Sequence, residues 1–176
     1  MSKLNLKPQL LIAALLLVVL ITGRLVPHAA NFTPVLAIAL FAGSFYPKYL
    51  STIIVVAALI VSDIVLGFTW ITPVVYLTIL LITLGGGALR KKLEQTRLFK
   101  KVVLLSMGGG IVFFLVTNFA VWAFGMGYVH NMAGLIHCYV EGIPFFRNTL
   151  LSTLLYSSVL FGMAASVQRR YKTVTA

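Results

Sequence analysis

Residues 117–150 read TNFAVWAFGMGYVHNMAGLIHCYVEGIPFFRNTL and hold much of the polar chemistry of an otherwise apolar chain. This segment contains the single cysteine, two of the three histidines and one of the three acidic residues. Long apolar runs precede and follow it. Because polar groups are costly to place in apolar surroundings unless they find partners, their concentration predicts most of one wall of a small-molecule site on one face of a membrane.

The composition of the whole chain supports a membrane setting. Its 176 residues are 60% hydrophobic and only 10% charged, with a mean hydropathy of +1.04. Soluble domains have about 25% charged residues. Several apolar runs approach the ~20 residues that a helix needs to cross the hydrocarbon layer. The composition therefore predicts an all-α integral membrane protein with one domain over residues 1–176.

The basic residues predict how the chain crosses the membrane. Hydropathy indicates six transmembrane helices at about residues 8–25, 34–45, 49–66, 72–89, 102–124 and 146–167. The segment RKKLEQTRLFKK at residues 90–101 lies between the fourth and fifth helices. Since short basic loops stay in the cytoplasm, we expect both termini to be cytoplasmic and residues 125–145 to form a long outer loop. The first apolar run also fits a signal peptide that ends near residue 30.

The net charge of +11 has the same explanation. Almost all basic residues fall at the cytoplasmic ends of the predicted helices, and only Arg24 and Arg147 fall at the outer side. This is the positive-inside pattern of membrane proteins. The charge therefore does not indicate nucleic-acid binding.

Small residues predict close helix packing. Thr33 and Pro34 fit the N-cap and the first position of the second helix. Ala39 and Gly43 give that helix a stripe of small residues. Two triple-glycine runs, at residues 85–87 and 108–110, predict that the fourth and fifth helices pack closely near the cytoplasmic side.

The candidate solute-binding residues are polar or aromatic and fall at or near the predicted outer ends of the helices. They are Arg24, Asn31, Asp63, Trp70, Asn118, Trp122, Tyr128, His137, Cys138, Tyr139, Arg147 and Asn148. An ionisable group within a membrane span is a candidate functional residue, which singles out Asp63. Each candidate also has a structural interpretation. The tryptophans fit an interfacial belt, Asp63 can pair with Arg24 or Arg147, Asn118 can bond to a neighbouring helix, and Cys138 can be a small buried hydrophobe.

No catalytic motif accompanies these residues. The sequence has no GxSxG, no HExxH, no phosphate-binding glycine loop and no closely spaced pair of carboxylates. We therefore expect a binding or transport protein, not an enzyme, with no cofactor and no metal site built into the chain.

Four segments carry a resemblance to a known class. They are NFTPVLAIALFAGSF (31–45), SDIVLG (62–67), TNFAVW (117–122) and GLIHCYVEGIPFFRNTL (134–150). With the size and the six expected helices, they resemble the substrate-binding S components of energy-coupling factor (ECF) vitamin transporters. The similarity is nearest to an uncharacterised family of S-component-like transport proteins. It implies an S-component-like bundle in the bacterial inner membrane that captures a vitamin-like solute from outside.

The resemblance also implies partners. S components dock on a transmembrane ECF coupling subunit through an AxxxA-type patch on the first helix, and they work together with ATPases. Here Ala13 and Ala14 are followed four residues later by Leu17 and Val18, so that patch is absent, although Ala39 and Gly43 could replace it. A solitary transporter is therefore a second expectation, and a structural or assembly subunit of a cell-envelope complex is the alternative from another class.

The resemblance suggests a metal role for one residue. Some S-component relatives bind cobalamin, and a thiolate is a good ligand for soft or borderline metals. Cys138 is therefore a candidate axial ligand for the cobalt of a corrinoid, with His137 beside it as the other choice.

Overall fold

The computed structural model describes residues 6–90 and 98–174, and these residues form six α-helices. The helices are α1 (Leu6–Leu25), α2 (Val35–Phe45), α3 (Lys48–Leu66), α4 (Thr72–Arg90), α5 (Leu98–Phe124) and α6 (Met132–Val174). Within these residues α3 and the apolar stretches Phe99–Phe124 and Met132–Val167 are long and apolar enough to cross a membrane. The remaining three are shorter apolar helices. The chain is thus an all-helical protein of the membrane type.

Helix α2 lies at the centre of the bundle. Ten of its 11 residues are buried, and it contacts each of the other five helices. At 1.5 Å per residue it is about 16 Å long, roughly half of the hydrocarbon thickness of a bilayer. The other helices surround α2, so it is a central helix of the bundle and presents little surface to lipid.

The start of α2 differs from the expectation. Pro34 occupies the N-cap position with no side-chain hydrogen bond, and the first helical residue is Val35. The hydroxyl of Thr33 therefore does not cap the helix. The Pro34 carbonyl accepts the amide of Ile38 at 2.9 Å, so the first turn closes without that cap.

Glycines bring α2 and α4 into backbone contact. A Cβ atom added at Gly43 would collide with the Thr83 carbonyl, and one added at Gly86 would collide with the Leu40 carbonyl. Ser44 donates its hydroxyl to the Gly86 carbonyl at 2.9 Å. The small-residue stripe on the second helix is therefore confirmed as a close-packing surface.

The glycines of the two runs, 85–87 and 108–110, do not all lie at the contact between α4 and α5. Gly109 faces the side chain of Ile82, so α4 and α5 do touch at this point. Gly110, however, faces Leu150 of α6, while Gly85 and Gly108 face open space. The closest glycine contact of α4 is with α2, and the expectation of a tight α4–α5 crossing holds only at Gly109.

Helices α5 and α6 form a long antiparallel hairpin, and the predicted outer loop at 125–145 is wrong. The connection is short, because α6 begins at Met132 and not near residue 146. The side chain of Asn131 accepts the amide of Gly134 at 2.9 Å and so caps the helix. Pro144 lies inside α6. It removes one backbone donor, and the helix nevertheless continues through it. Helix α5 packs alongside at this point, where Phe114 stacks on Phe146 with ring centroids 4.5 Å apart.

Candidate functional site

A cavity of about 230 Å³ lies among the helices, toward the end of the bundle where α1 ends and α2 begins. Every helix contributes to its wall, together with the loop between α1 and α2. The lining residues are Arg24, Asn31, Thr33, Val35, Leu36, Leu59, Val75, Ile79, Phe113, Thr149, Ser152 and Thr153. A site to which the whole bundle contributes depends on the fold as a unit.

Arg24 supplies the charge of the cavity wall. It lies in the last turn of α1, where the helix dipole favours a cation. Its Nη2 donates to Asp63 Oδ1 at 2.6 Å, and its Nη1 donates to Ser62 Oγ at 2.7 Å and to the Leu59 carbonyl at 3.5 Å. The guanidinium is thus held by the C-terminal part of α3.

Asp63 is buried and has a partner on each oxygen. Its side chain is 6% exposed, Oδ1 accepts from Arg24, and Oδ2 accepts the hydroxyl of Tyr76 at 2.7 Å. The network therefore joins α1, α3 and α4. Of the two pairings expected for Asp63, the one with Arg24 is confirmed. Arg147 is exposed and has no hydrogen-bond or ion-pair partner among residues 6–90 and 98–174.

Three hydroxyl-bearing residues of α6 form another part of the wall. Thr149, Ser152 and Thr153 are all buried and lie within little more than one helical turn. Each donates its proton to a carbonyl of its own helix: Thr149 to Phe145, and both Ser152 and Thr153 to Thr149. A hydroxyl oxygen that has donated still has lone pairs to accept with. This wall therefore presents hydrogen-bond acceptors.

The α1–α2 loop lines one side of the cavity through Asn31 and Thr33. Asn31 adopts a left-handed conformation with φ of 61°, which asparagine tolerates better than most residues. The side-chain amide of Asn148 donates to the Ala30 carbonyl at 2.9 Å and fixes the loop against α6. Phe32 packs near Tyr156 with ring centroids 6.2 Å apart. Asn148 thus supports the cavity without lining it.

Most of the other predicted site residues lie on the α5–α6 hairpin and outside the cavity. Cys138 is 1% exposed and donates its S–H to the Asn118 carbonyl at 3.4 Å, while Tyr139 donates to the Leu115 carbonyl at 2.7 Å. The side chain of Asn118 donates to Phe114 of its own helix at 2.9 Å. These bonds hold α6 against α5. The structural interpretation of Cys138 as a small buried side chain fits this position.

The two tryptophans lie near the tip of the hairpin. Trp122 donates its indole N–H to the Val129 carbonyl at 3.1 Å and so closes the connection between the helices. Trp70, in the α3–α4 connection, is 55% exposed and lies next to Gly125. Neither lines the cavity.

A second polar cluster lies near the same tip. Tyr128 donates its hydroxyl to Glu141 Oε2 at 2.6 Å, and His137 Nε2 lies 3.2 Å from Glu141 Oε1. The hydrogen bond to Glu141, followed by desolvation, raises the pKa of Tyr128 to about 12. The side chains of His137 and Glu141 are 64% and 54% exposed. In the part of the chain that the structure describes, no three His, Cys, Asp or Glu residues are grouped to hold a metal ion.

Sequence reasoning missed several residues of the cavity and its network. Tyr76 and Ser62 complete the bonding of Asp63 and Arg24, and Thr149, Ser152 and Thr153 form the acceptor wall. The three α6 hydroxyls follow i, i+3, i+4 spacing, which places them on one helical face. This spacing within an apolar run is the sequence feature that could have identified these three residues.

These features define the class: an all-helical membrane-type protein with a charged, hydroxyl-lined cavity among its helices. The chain belongs to a family of unknown function, DUF6580, whose sequence profile matches residues 4–174. No match was found to a curated protein or to a solved structure.

Proposed function

We propose that this protein is a multi-pass protein of the bacterial inner membrane that binds a small, vitamin-like solute for uptake. The cavity carries the proposal, because it combines a charged donor from α1, hydroxyl acceptors from α6 and apolar side chains from α2, α3, α4 and α5. Small-molecule sites have this mixture of mainly apolar lining and a few fixed polar groups. The cavity is smaller than the ~300–1,000 Å³ typical of such sites, which favours a compact solute.

The proposed orientation places the cavity in the outer half of the membrane. Six spans with both termini in the cytoplasm put Lys48, Lys100 and Lys101 on the cytoplasmic side, in agreement with the positive-inside rule. Lys48 begins α3, and the cavity residue Leu59 follows 11 positions later, about 16 Å along the helix. A solute would then reach the cavity from outside, past the α1–α2 loop.

A solitary transporter is the favoured form of the proposal. Ala39 and Gly43, which could have replaced the missing docking patch of α1, are buried inside the bundle, with Gly43 against α4. Ala13 is also buried, and the outward face of α1 carries Leu11, Leu15 and Val18. Docking on an ECF coupling subunit would have to use a different kind of surface.

The orientation can be tested by thiol labelling of intact cells. In a Cys138→Ala background, Met126→Cys should react with a membrane-impermeant maleimide from outside, and Lys48→Cys only after permeabilisation. Both positions are exposed, so access to the reagent decides the result. Labelling of Lys48→Cys in intact cells would overturn the outward-facing cavity.

Binding can be tested by filling the cavity. Val75→Phe adds volume on the cavity wall, whereas Leu77→Phe makes a similar addition on the exposed side of α4, where Leu77 is 61% exposed. We expect native mass spectrometry of the purified protein to detect a bound small molecule in the parent and in Leu77→Phe, but not in Val75→Phe. A partner protein in place of a small molecule would instead support the envelope-assembly alternative.

A further inference from the structure

The donors and acceptors around the cavity define what a ligand must offer. A guanidinium has five N–H groups. The hydrogen bonds of Arg24 to Asp63, Ser62 and the Leu59 carbonyl engage three of them, two on Nη1 and one on Nη2. The N–H on Nε and the second N–H on Nη2 have no acceptor among the described residues. At this wall a ligand meets donors, so it must supply an acceptor.

The wall formed by α6 has the opposite requirement. The protons of Thr149, Ser152 and Thr153 are all engaged by backbone carbonyls of α6. Only oxygen lone pairs remain for a ligand. A ligand that supplies N–H or O–H donors can therefore bond here without breaking the bonds of these hydroxyls to their own helix.

The charge balance disfavours an anion. Arg24 is the only charged residue that lines the cavity in the described part of the chain, and Asp63 lies 2.6 Å from its guanidinium. A carboxylate ligand would compete with Asp63 for the same cation and would place two negative groups close together in apolar surroundings. A neutral polar group avoids this cost.

We propose that the cavity selects a neutral, compact molecule with an amide-type group: a carbonyl oxygen toward Arg24 and N–H donors toward the α6 hydroxyls. Its apolar body lies against the aliphatic and aromatic wall formed by Leu36, Ile79 and Phe113. This inference rests on the proposed function, and it adds the chemical class of the solute.

The test compares three probes of similar shape: benzamide, benzoate and N,N-dimethylbenzamide. Benzamide has both the acceptor and the donors, N,N-dimethylbenzamide lacks the donors, and benzoate lacks them and is charged. We expect the Kd of benzamide, measured by ligand-observed NMR on the detergent-solubilised protein, to be about tenfold lower than that of either analogue, as expected when hydrogen bonds are lost to buried groups. Equal or tighter binding of benzoate would overturn the neutral-ligand assignment.

Matched variants locate the effect. Thr153→Val removes a cavity acceptor with little change of shape and should weaken benzamide binding about fivefold, while leaving N,N-dimethylbenzamide unchanged. Thr117→Val is the control, because Thr117 donates to Phe113 in the same way but does not line the cavity. Thermal unfolding should show that both variants fold. Equal losses of benzamide affinity in the two variants would overturn the assignment.

The proposed function and the ligand class fail in different ways. If native mass spectrometry detects a solute that Val75→Phe excludes but benzamide does not bind, the ligand class is wrong and the solute-binding function stands. If neither a solute nor benzamide is bound, both proposals are wrong.

Discussion

Two carboxylates in this protein have the same kinds of partner in contrasting surroundings. Asp63 accepts from Arg24 at 2.6 Å and from Tyr76 at 2.7 Å; Glu141 lies 3.2 Å from His137 and accepts from Tyr128 at 2.6 Å. The Asp63 side chain is 6% exposed, and that of Glu141 is 54% exposed. The two carboxylates therefore have similar hydrogen-bond partners, but these partners contribute differently to stability, because water can replace the partners of Glu141 but not those of Asp63.

The two clusters also differ in what they connect. Arg24, Asp63 and Tyr76 belong to α1, α3 and α4, and their network lies beside the cavity. Tyr128 and Glu141 are 13 residues apart and tie the short hairpin connection to the first turns of α6. Loss of the first network separates helices that build the site, whereas loss of the second affects one end of a hairpin that other contacts hold together.

Removing each carboxylate in turn should separate the two clusters most clearly. Asp63→Ala leaves the part-buried guanidinium of Arg24, whose side chain is 18% exposed, without its counter-charge. Breaking a fully buried pair costs about 3–5 kcal/mol, so we expect a loss of unfolding free energy near the lower end, about 3 kcal/mol. Glu141→Ala breaks exposed interactions, which contribute about 0–1 kcal/mol. Denaturant unfolding in detergent micelles measures both. Equal losses of unfolding free energy in the two variants would show that the greater burial of Asp63 does not make its interactions more stabilising.

A double variant sharpens the interpretation of that result. If the loss in Asp63→Ala comes from an uncompensated charge, replacing both partners in Arg24→Leu/Asp63→Leu should recover a large part of the stability, because apolar groups of similar volume often replace a buried pair at little cost. The double variant should therefore be more stable than Asp63→Ala alone. A simple sum of two losses would argue against the charge explanation.

The tyrosine hydroxyls give a smaller contrast. Tyr76→Phe removes the donor to Asp63 Oδ2 and leaves a buried acceptor without that partner, at a cost of about 1–3 kcal/mol. Tyr128→Phe removes an equally short bond to an exposed carboxylate, which water can solvate, so we expect a loss of about 0.5 kcal/mol or less. The same unfolding measurement applies. A larger loss in Tyr128→Phe would reverse the comparison.

The sequence alone identified Asp63 as a notable residue, but it did not show how the Asp63 cluster differs from the Glu141 cluster on the hairpin. Hydropathy placed α3 and α5 well, and the intramembrane position of Asp63 correctly marked it, with Arg24 as one of two partners. The first turns of α6 were assigned to an outer loop at 125–145, whereas α6 begins at Met132 and continues through Pro144. The capping role of Asn131 was the contrary local signal.

The division between cavity and hairpin depends on tertiary contacts. Cys138 lies in the polar-rich segment 117–150 and Thr153 in the apolar run that follows it, but only packing shows that Cys138 faces α5 and Thr153 the cavity. Serine and threonine often bond back to their own helix in apolar segments, so their presence alone does not mark a site. The clustering of polar residues in the sequence therefore predicted a site on the hairpin, whereas the cavity is lined by residues from all six helices.

The titration of Tyr128 tests the exposed cluster alone. The hydrogen bond to Glu141, with desolvation as a second cause, stabilises the neutral phenol and raises the pKa of Tyr128 from 10.0 to about 12. Because the folded state holds this proton more tightly, the contribution to stability is complete below pH 10 and is lost as the pH rises from about 10 to about 12.

Ultraviolet difference spectra between the parent and Tyr128→Phe isolate this tyrosine from the other six. We expect a midpoint near pH 12 in the parent and a midpoint shifted toward 10 in Glu141→Gln, since a neutral amide no longer opposes the phenolate. An unchanged midpoint in Glu141→Gln would show that Glu141 does not control the proton on Tyr128, and the two carboxylates would then share less chemistry than their contacts indicate.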